Sequence, residues 1–464
     1  MWNVNRGWWA GKRRKAMLVA AVTPALMLAG VGTPALAEPT GSAATYDAFY
    51  DTSTVTAGAP GTILRTEDTA LVPVPGELDV AAPMAVTKLM YSTVDQNGAA
   101  TPVTGYMVEP SVPWAAGGER PTVVIGRGTI GQGDQCAPSK NWPIAGNETP
   151  FETGRTVNLE GLYDFVFAGA GVRVFVTDYV GMGTPGMHTY MNRADQSHAM
   201  LDGARAAQAL SGEAGPVGFY GHSQGGGASA AAVEEAADYA PELNVVGAYA
   251  SAPPADLDAV QRGIEGSDLV GAIAFTVNGL NARYPELDTL IDANLSDHGR
   301  DVLTSAAQMC TDEITEAFGG QTTREWISGG RSLAELLQEM PIGAAAMNDQ
   351  LVGTKPPVAP VMVVSGRHDD TVDYQQAKDL ADRWCSMGGE VIYRDDVTPQ
   401  ITGYNHFAQA VTGAPYGLSF LMARFAGQPL AQPACTDWHG GGTYTSDLPA
   451  DGLELAIENL PLGI

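Results

Sequence analysis

The stretch Gly221-His222-Ser223-Gln224-Gly225 constrains this chain more than any other. An apolar run at 216–220 precedes it, and a small-residue run at 226–232 follows. That order reads as buried strand, sharp turn, helix. The flanking glycines suit a turn so tight that a side chain there would strike neighbouring backbone. Ser223 would be held in a strained conformation with its hydroxyl exposed above a sheet. The next helix would aim the partial positive charge of its N-terminus at the same place. The plain alternative is a Gly-rich turn that merely contains a serine. The strand before and the helix after favour a reactive serine.

A nucleophilic serine needs a base, and the base needs an orienting acid. After such a turn the chain order is Ser, then Asp or Glu, then His. His188 and His198 precede the serine and His222 lies inside the turn, which leaves His298, His368, His406 and His439. The apolar, β-branched run 358–364 predicts a buried parallel strand, and it empties into Ser365-Gly366-Arg367-His368-Asp369-Asp370. Asp369 is therefore the acid, with Asp370 second. The next histidine after a further strand at 390–394 is His406, which precedes an apolar helical stretch and is taken as the base. His439, in a Gly-rich tail, is held in reserve. A lone histidine is usually packed or solvated, so His406 rests on its order and setting.

The remaining periodicity predicts an α/β architecture. Strands are expected at 86–93 and 104–108, joined through the turn Asp95-Gln96-Asn97-Gly98, and at 122–125, 171–176 and 245–250. Helices are expected at 159–169 and 197–210. This alternation gives a doubly wound, mostly parallel sheet. Residues 38–71 carry few signals. From 254 to 357 the pattern turns helical, with runs at 257–264, 301–318 and 332–339 and apolar spacing at Leu269, Ile273, Val277 and Leu280. The reading is one core, 38–253 and 358–464, interrupted by a helical cap at 254–357. The cap's apolar faces either pack only the cap or also line an acyl pocket.

Four pieces together resemble the secretory lipase family of α/β-hydrolases. They are Gly128-Thr129-Ile130-Gly131 running into Cys136-Ala137-Pro138-Ser139, then Asp178-Tyr179-Val180-Gly181-Met182-Gly183, then the Ser223 turn, then the Asp369 and His406 segments. The resemblance implies an α/β-hydrolase fold and hydrolysis of carboxylic esters, typically acylglycerols. It calls for no metal and no organic cofactor. Ser223 would attack the carbonyl, His406 would take its proton, and Asp369 would orient the imidazole. The backbone N–H of Gln224 and one from the loop at Thr129 or Ile130 would hold the oxyanion. Arg127 stands where many hydrolases have His. Four cysteines in an exported chain allow three pairings. The resemblance and the loop positions favour Cys136 with Cys310 and Cys385 with Cys435.

The first 37 residues predict an export signal: Arg6, Lys12, Arg13, Arg14 and Lys15, then an uncharged apolar run at 16–32, then Ala35-Leu36-Ala37 for cleavage. The apolar run is short for a membrane span, and Pro24 interrupts it. Arg13-Arg14 leaves a twin-arginine route open. The formal net charge is −27, and loss of those five cations makes it −32. Such acidity argues against nucleic acid or anionic lipid as partners. With 45% apolar and 17% charged residues the chain can bury a large core. The expectation is a secreted or cell-envelope ester hydrolase with a small-molecule or lipid ester substrate. The rivals are a cell-envelope acyltransferase with the same three residues and a non-catalytic protein on a hydrolase scaffold.

Overall fold

The computed structural model describes residues 47–438, apart from 74–81, 83, 146–158 and 397. The expected export signal and His439 lie outside the described residues. One ten-stranded sheet organises the rest, in the order β1-β2-β3-β5-β4-β6-β7-β8-β9-β10. β1 (Ile63–Thr69), β2 (Ala85–Val94) and β3 (Ala100–Glu109) form an antiparallel flank. β3 also pairs antiparallel with β5 (Arg173–Thr177). From β5 onward the neighbours run parallel: β4 (Thr122–Gly126), β6 (Val217–His222), β7 (Val245–Ser251), β8 (Val361–Gly366), β9 (Val391–Asp396) and β10 (Asp437–Trp438).

Every residue of β4, β5, β6, β8 and β9 is buried, as expected of parallel strands covered on both faces. Alternate side chains enter two separate cores. Val124, Phe219 and Val363 join one core with the helices Arg193–Ser211 and Gln224–Tyr239. Val123, Ile125, Tyr220 and Val364 join the other with Leu162–Gly169 and Ala414–Phe425. β4 has β5 on one side and β6 on the other, and the chain departs from them in opposite directions. The carboxyl ends of β4 and β6 therefore flank a crevice at a topological switch point, the usual place for a ligand.

Between β7 and β8 lie eight helices, from Leu257–Ile264 to Pro341–Asp349, with a core of their own. Ile273, Val277 and Leu280 belong to the helix Gly271–Asn281 and are buried in that core. Side-chain caps start several of these helices: Asp256 accepts from the N–H groups of Asp258 and Ala259, and Ser332 and Glu335 form a capping box. The expected continuous helix over 301–318 is absent. It is divided into Asp297–Ala306 and Thr311–Phe318 by Cys310, whose backbone is extended. The cause is long-range: Cys310 is bonded to Cys136, and its backbone bridges Gly131. The second disulfide joins Cys385 to Cys435. β1 was not expected; its mixed, half-exposed sequence hides it.

Candidate active site

Ser223 lies at the end of β6 with φ 55° and ψ −124°, a region that costs a non-glycine residue about 1–3 kcal/mol. Neighbouring backbone holds it there: its N–H donates to Ser251 O at 2.9 Å, and its carbonyl accepts from Gly227 N–H at 2.9 Å. The flanking glycines are required by contact. A Cβ on Gly225 would come within 1.9 Å of Gly126 O, and one on Gly221 within 2.2 Å of Gly225 backbone. Neither obstacle is a flexible side chain. Gly225→Ala should accordingly cost about 3 kcal/mol or more, read as a lower urea midpoint. An unchanged midpoint would mean that the turn is not packed in this way.

The structure brings Ser223, His406 and Asp369 together. Ser223 Oγ is 2.8 Å from His406 Nε2. His406 Nδ1 is 3.0 Å from both Asp369 oxygens. His406 is the second residue of the helix Asn405–Thr412 and is 2% exposed. The carboxylate of Asp369 is fixed by its own loop: the N–H groups of Thr371 and Val372 donate to Oδ1 at 2.9 and 2.8 Å, and Gln409 Nε2 donates to Oδ2. Burial alone would raise this carboxyl. His406 and the two N–H donors outweigh burial and hold it below the usual carboxylate range. Asp370 does not touch the ring. Its Oδ1 accepts the backbone N–H of His406 at 3.2 Å and so helps to seat the helix. His368 is exposed, and His298 bonds Gln321 on the exposed part of the inserted helices.

Three backbone donors next to Ser223 or in the cavity lining are unclaimed. The N–H groups of Gln224, Thr129 and Ile130 donate to no acceptor among the described residues. The loop that carries the last two is pinned from both sides. Gly128 N–H donates to Glu160 Oε2 at 2.6 Å, and the Thr129 hydroxyl meets Tyr190 OH at 2.6 Å. Thr311 donates through its hydroxyl to Thr129 O at 3.0 Å and through its N–H to Ile130 O at 3.1 Å. The disulfide Cys136–Cys310 closes the same corner. Arg127 is fully buried behind the loop rather than beside the serine. Its guanidinium donates to both Asp164 oxygens at 2.6 Å, to Tyr106 OH at 2.8 Å and to Glu160 O at 2.5 Å.

Ser223 and His406 open into a cavity at the carboxyl end of β6. Sequence reasoning gave no role to several of its walls. Glu160 and Tyr163 come from the turn and helix after β4, and Phe407, Ala410 and Val411 follow His406 on its helix. From the segment between β7 and β8 the lining takes Leu269 and Thr311. Burial pushes the Glu160 carboxyl up to about 7, against the lowering effect of Arg127 and the Gly128 N–H. His222 bonds Ser251 Oγ through Nδ1 at 3.0 Å, and its ring centre is 4.7 Å from that of His406. Burial, with His406 adding to it, lowers His222 to about 3, so this ring is neutral. Gln409 was within reach of sequence reasoning, since it shares a helical face with His406 at a spacing of three. Glu160 carried no local signal. Among the described residues no group of three or more His, Cys, Asp or Glu side chains is arranged to hold a metal ion.

The model of the family described as secretory lipase matches residues 153–433. The chain belongs to that family. A probable inactive lipase of Mycobacterium tuberculosis is 29% identical over 381 residues, covering 80% of each chain. A secreted triacylglycerol lipase of Malassezia furfur is 25% identical over 332 residues, covering 69% of this chain and 80% of the relative. Among solved structures, Candida antarctica lipase A in its closed state superposes with a TM-score of 0.73 at 21% identity, over 89% of this chain and 94% of that one. That likeness, together with the sheet order, makes the fold an α/β-hydrolase fold. No helix among the described residues is long and apolar enough to cross a membrane.

The buried histidines of this secretory-lipase family member have a consequence for pH. His188 donates through Nδ1 to Val180 O and meets Gln224 Nε2 at 3.2 Å through Nε2, and burial lowers it to about 4. A histidine depressed below its ordinary 6.5 contributes stability that is complete above 6.5 and is lost as pH falls toward the folded value. Glu160, raised to about 7, acts in the opposite sense, losing stability as pH rises from 4.5 to 7. A comparison between variants removes that offset. Between pH 6.5 and 4.5 the Tm of His188→Gln should fall less than that of the parent, by the equivalent of roughly 1 kcal/mol per pH unit. Equal falls would show that His188 is not held neutral.

Proposed function

We propose that this chain is a serine carboxylic-ester hydrolase, a lipase or esterase, that works through an acyl-enzyme on Ser223. The observation that carries the reading is the unbroken line of hydrogen bonds from Ser223 Oγ through His406 to Asp369, at 2.8 and 3.0 Å. In the reaction His406 Nε2 accepts the Ser223 proton as Oγ attacks the ester carbonyl, and Asp369 stabilises the resulting imidazolium. The tetrahedral oxyanion is held by Gln224 N–H and by N–H of Thr129 or Ile130. His406 then protonates the departing alcohol. Water, deprotonated by His406, releases the acid. The substrate is a lipid or small-molecule ester whose acyl chain packs on the apolar walls of the cavity. The inserted segment 254–357 acts as the cap over this site. Export through the segment at 1–37, with cleavage near Ala37, accords with the secreted relatives and the paired cysteines.

A catalytically silent hydrolase scaffold is the second reading, and the mycobacterial relative, a probable inactive lipase, is what favours it. Hydrolysis of a series of p-nitrophenyl esters, from short to long acyl chains, decides between the two. The hydrolase reading expects turnover abolished by a fluorophosphonate. A purified, folded protein that hydrolyses none of the series contradicts it.

A further inference from the structure

Among the described residues, Glu160 is the one carboxylate that lines the Ser223 cavity. One of its oxygens is committed: Oε2 accepts the N–H of Gly128. The other, Oε1, is buried and has no hydrogen-bond partner among the described residues. Arg127 lies close behind, but its bonds to this residue go to the backbone carbonyl, and its charge is matched by Asp164 in a pair whose side chains are both fully buried. A buried acceptor without a donor is costly. A ligand that supplies the donor recovers that cost.

Glu160 also lies on a definite side of the site. Three residues on, Tyr163 donates its hydroxyl to Ala410 O, on the helix that begins with His406 and its neighbours. Glu160 thus belongs to the wall beside His406. On the reading above, His406 protonates the leaving alcohol, so this wall faces the alcohol half of the ester and not the acyl chain. Tyr163, Phe407, Ala410 and Val411 give that half largely apolar surroundings. Burial has raised the Glu160 carboxyl, so it presents an acceptor at alkaline pH and a hydroxyl of its own at acid pH. Both forms bond an alcohol.

We propose that Glu160 is a substrate-recognition residue whose free Oε1 takes a hydroxyl of the alcohol moiety, so that the enzyme selects esters of polyols over esters of simple alkanols. This rests on the ester-hydrolase reading for the side of the site. Its test uses ethers that no hydrolase cleaves, so the two fail separately.

The full-length protein is titrated calorimetrically with 3-hexyloxypropane-1,2-diol, hexyl glucoside and hexyl propyl ether. At least one hydroxylated ether should bind about tenfold tighter than hexyl propyl ether. The order of the first two separates a glycerol-type from a sugar-type alcohol. Glu160→Leu should erase the preference. Glu160→Gln keeps an acceptor for Gly128 and presents an amide in place of Oε1, so it should reduce the preference severalfold. Equal binding of all three ethers by the parent protein overturns the proposal. So does a preference that survives in both variants. If the parent protein shows the binding preference yet hydrolyses no ester, the recognition stands and the hydrolase reading falls.

Discussion

Ser223→Ala is expected to lower kcat/KM for ester hydrolysis by about 10⁴-fold or more, with the melting temperature unchanged or raised. The size follows from what is removed. On the hydrolase reading the backbone N–H donors and the apolar cavity remain, so some acceleration over water persists, but no acyl-enzyme forms. The sign of the stability change follows from the backbone. Ser223 sits at φ 55° whatever its side chain, and alanine leaves that geometry available. Among the described residues the hydroxyl's one partner is His406 Nε2, which solvent in the cavity can replace. A variant with a few per cent of parental activity would show that another group supplies the nucleophile.

His406→Ala should be nearly as damaging. Adding Asp369→Ala to it should cost little more, since the three groups act as one unit. Asp369→Ala alone should cost less than His406→Ala, because the base is still present but no longer oriented. Asp369→Ala should also destabilise the loop, since the N–H groups of Thr371 and Val372 and the amide of Gln409 lose their common acceptor. The checks are kcat/KM for the single and double variants and the urea midpoint of each. Additive losses, or an active His406→Ala, would remove His406 from the chemistry.

The legibility of this site followed how local each signal is. Ser223 was readable because strand, turn and helix are contiguous, and the crowding that demands Gly221 and Gly225 lies within the same pentapeptide and the adjacent β4. That Asp369 and His406 would meet Ser223 was readable from chain order and setting together, each following a strand of the parallel sheet. Arg127 was visible as an oddity, but its meaning lay in Asp164, 37 residues away. Glu160 was invisible for the same reason: its contact with Gly128 spans 32 residues, and no periodic pattern marks it. The break at Cys310 came from a disulfide to Cys136, 174 residues earlier, which overrode a helical pattern that looked continuous. The edge strand β1, Ile-Leu-Arg-Thr-Glu-Asp-Thr, is half exposed, so no alternation disclosed it. Propensity and pattern report local preference. Closure of the loop that carries the N–H groups of Thr129 and Ile130 is a long-range result.

The central claim is that Ser223 is an activated nucleophile. The most direct measurement is stoichiometric labelling of the native protein with a fluorophosphonate, followed by mass spectrometry of the digested chain. One adduct per chain is expected, on the peptide that contains Ser223, and none in His406→Ala at the same exposure. An adduct on a different serine, or a folded parent protein that takes up no label, would contradict it.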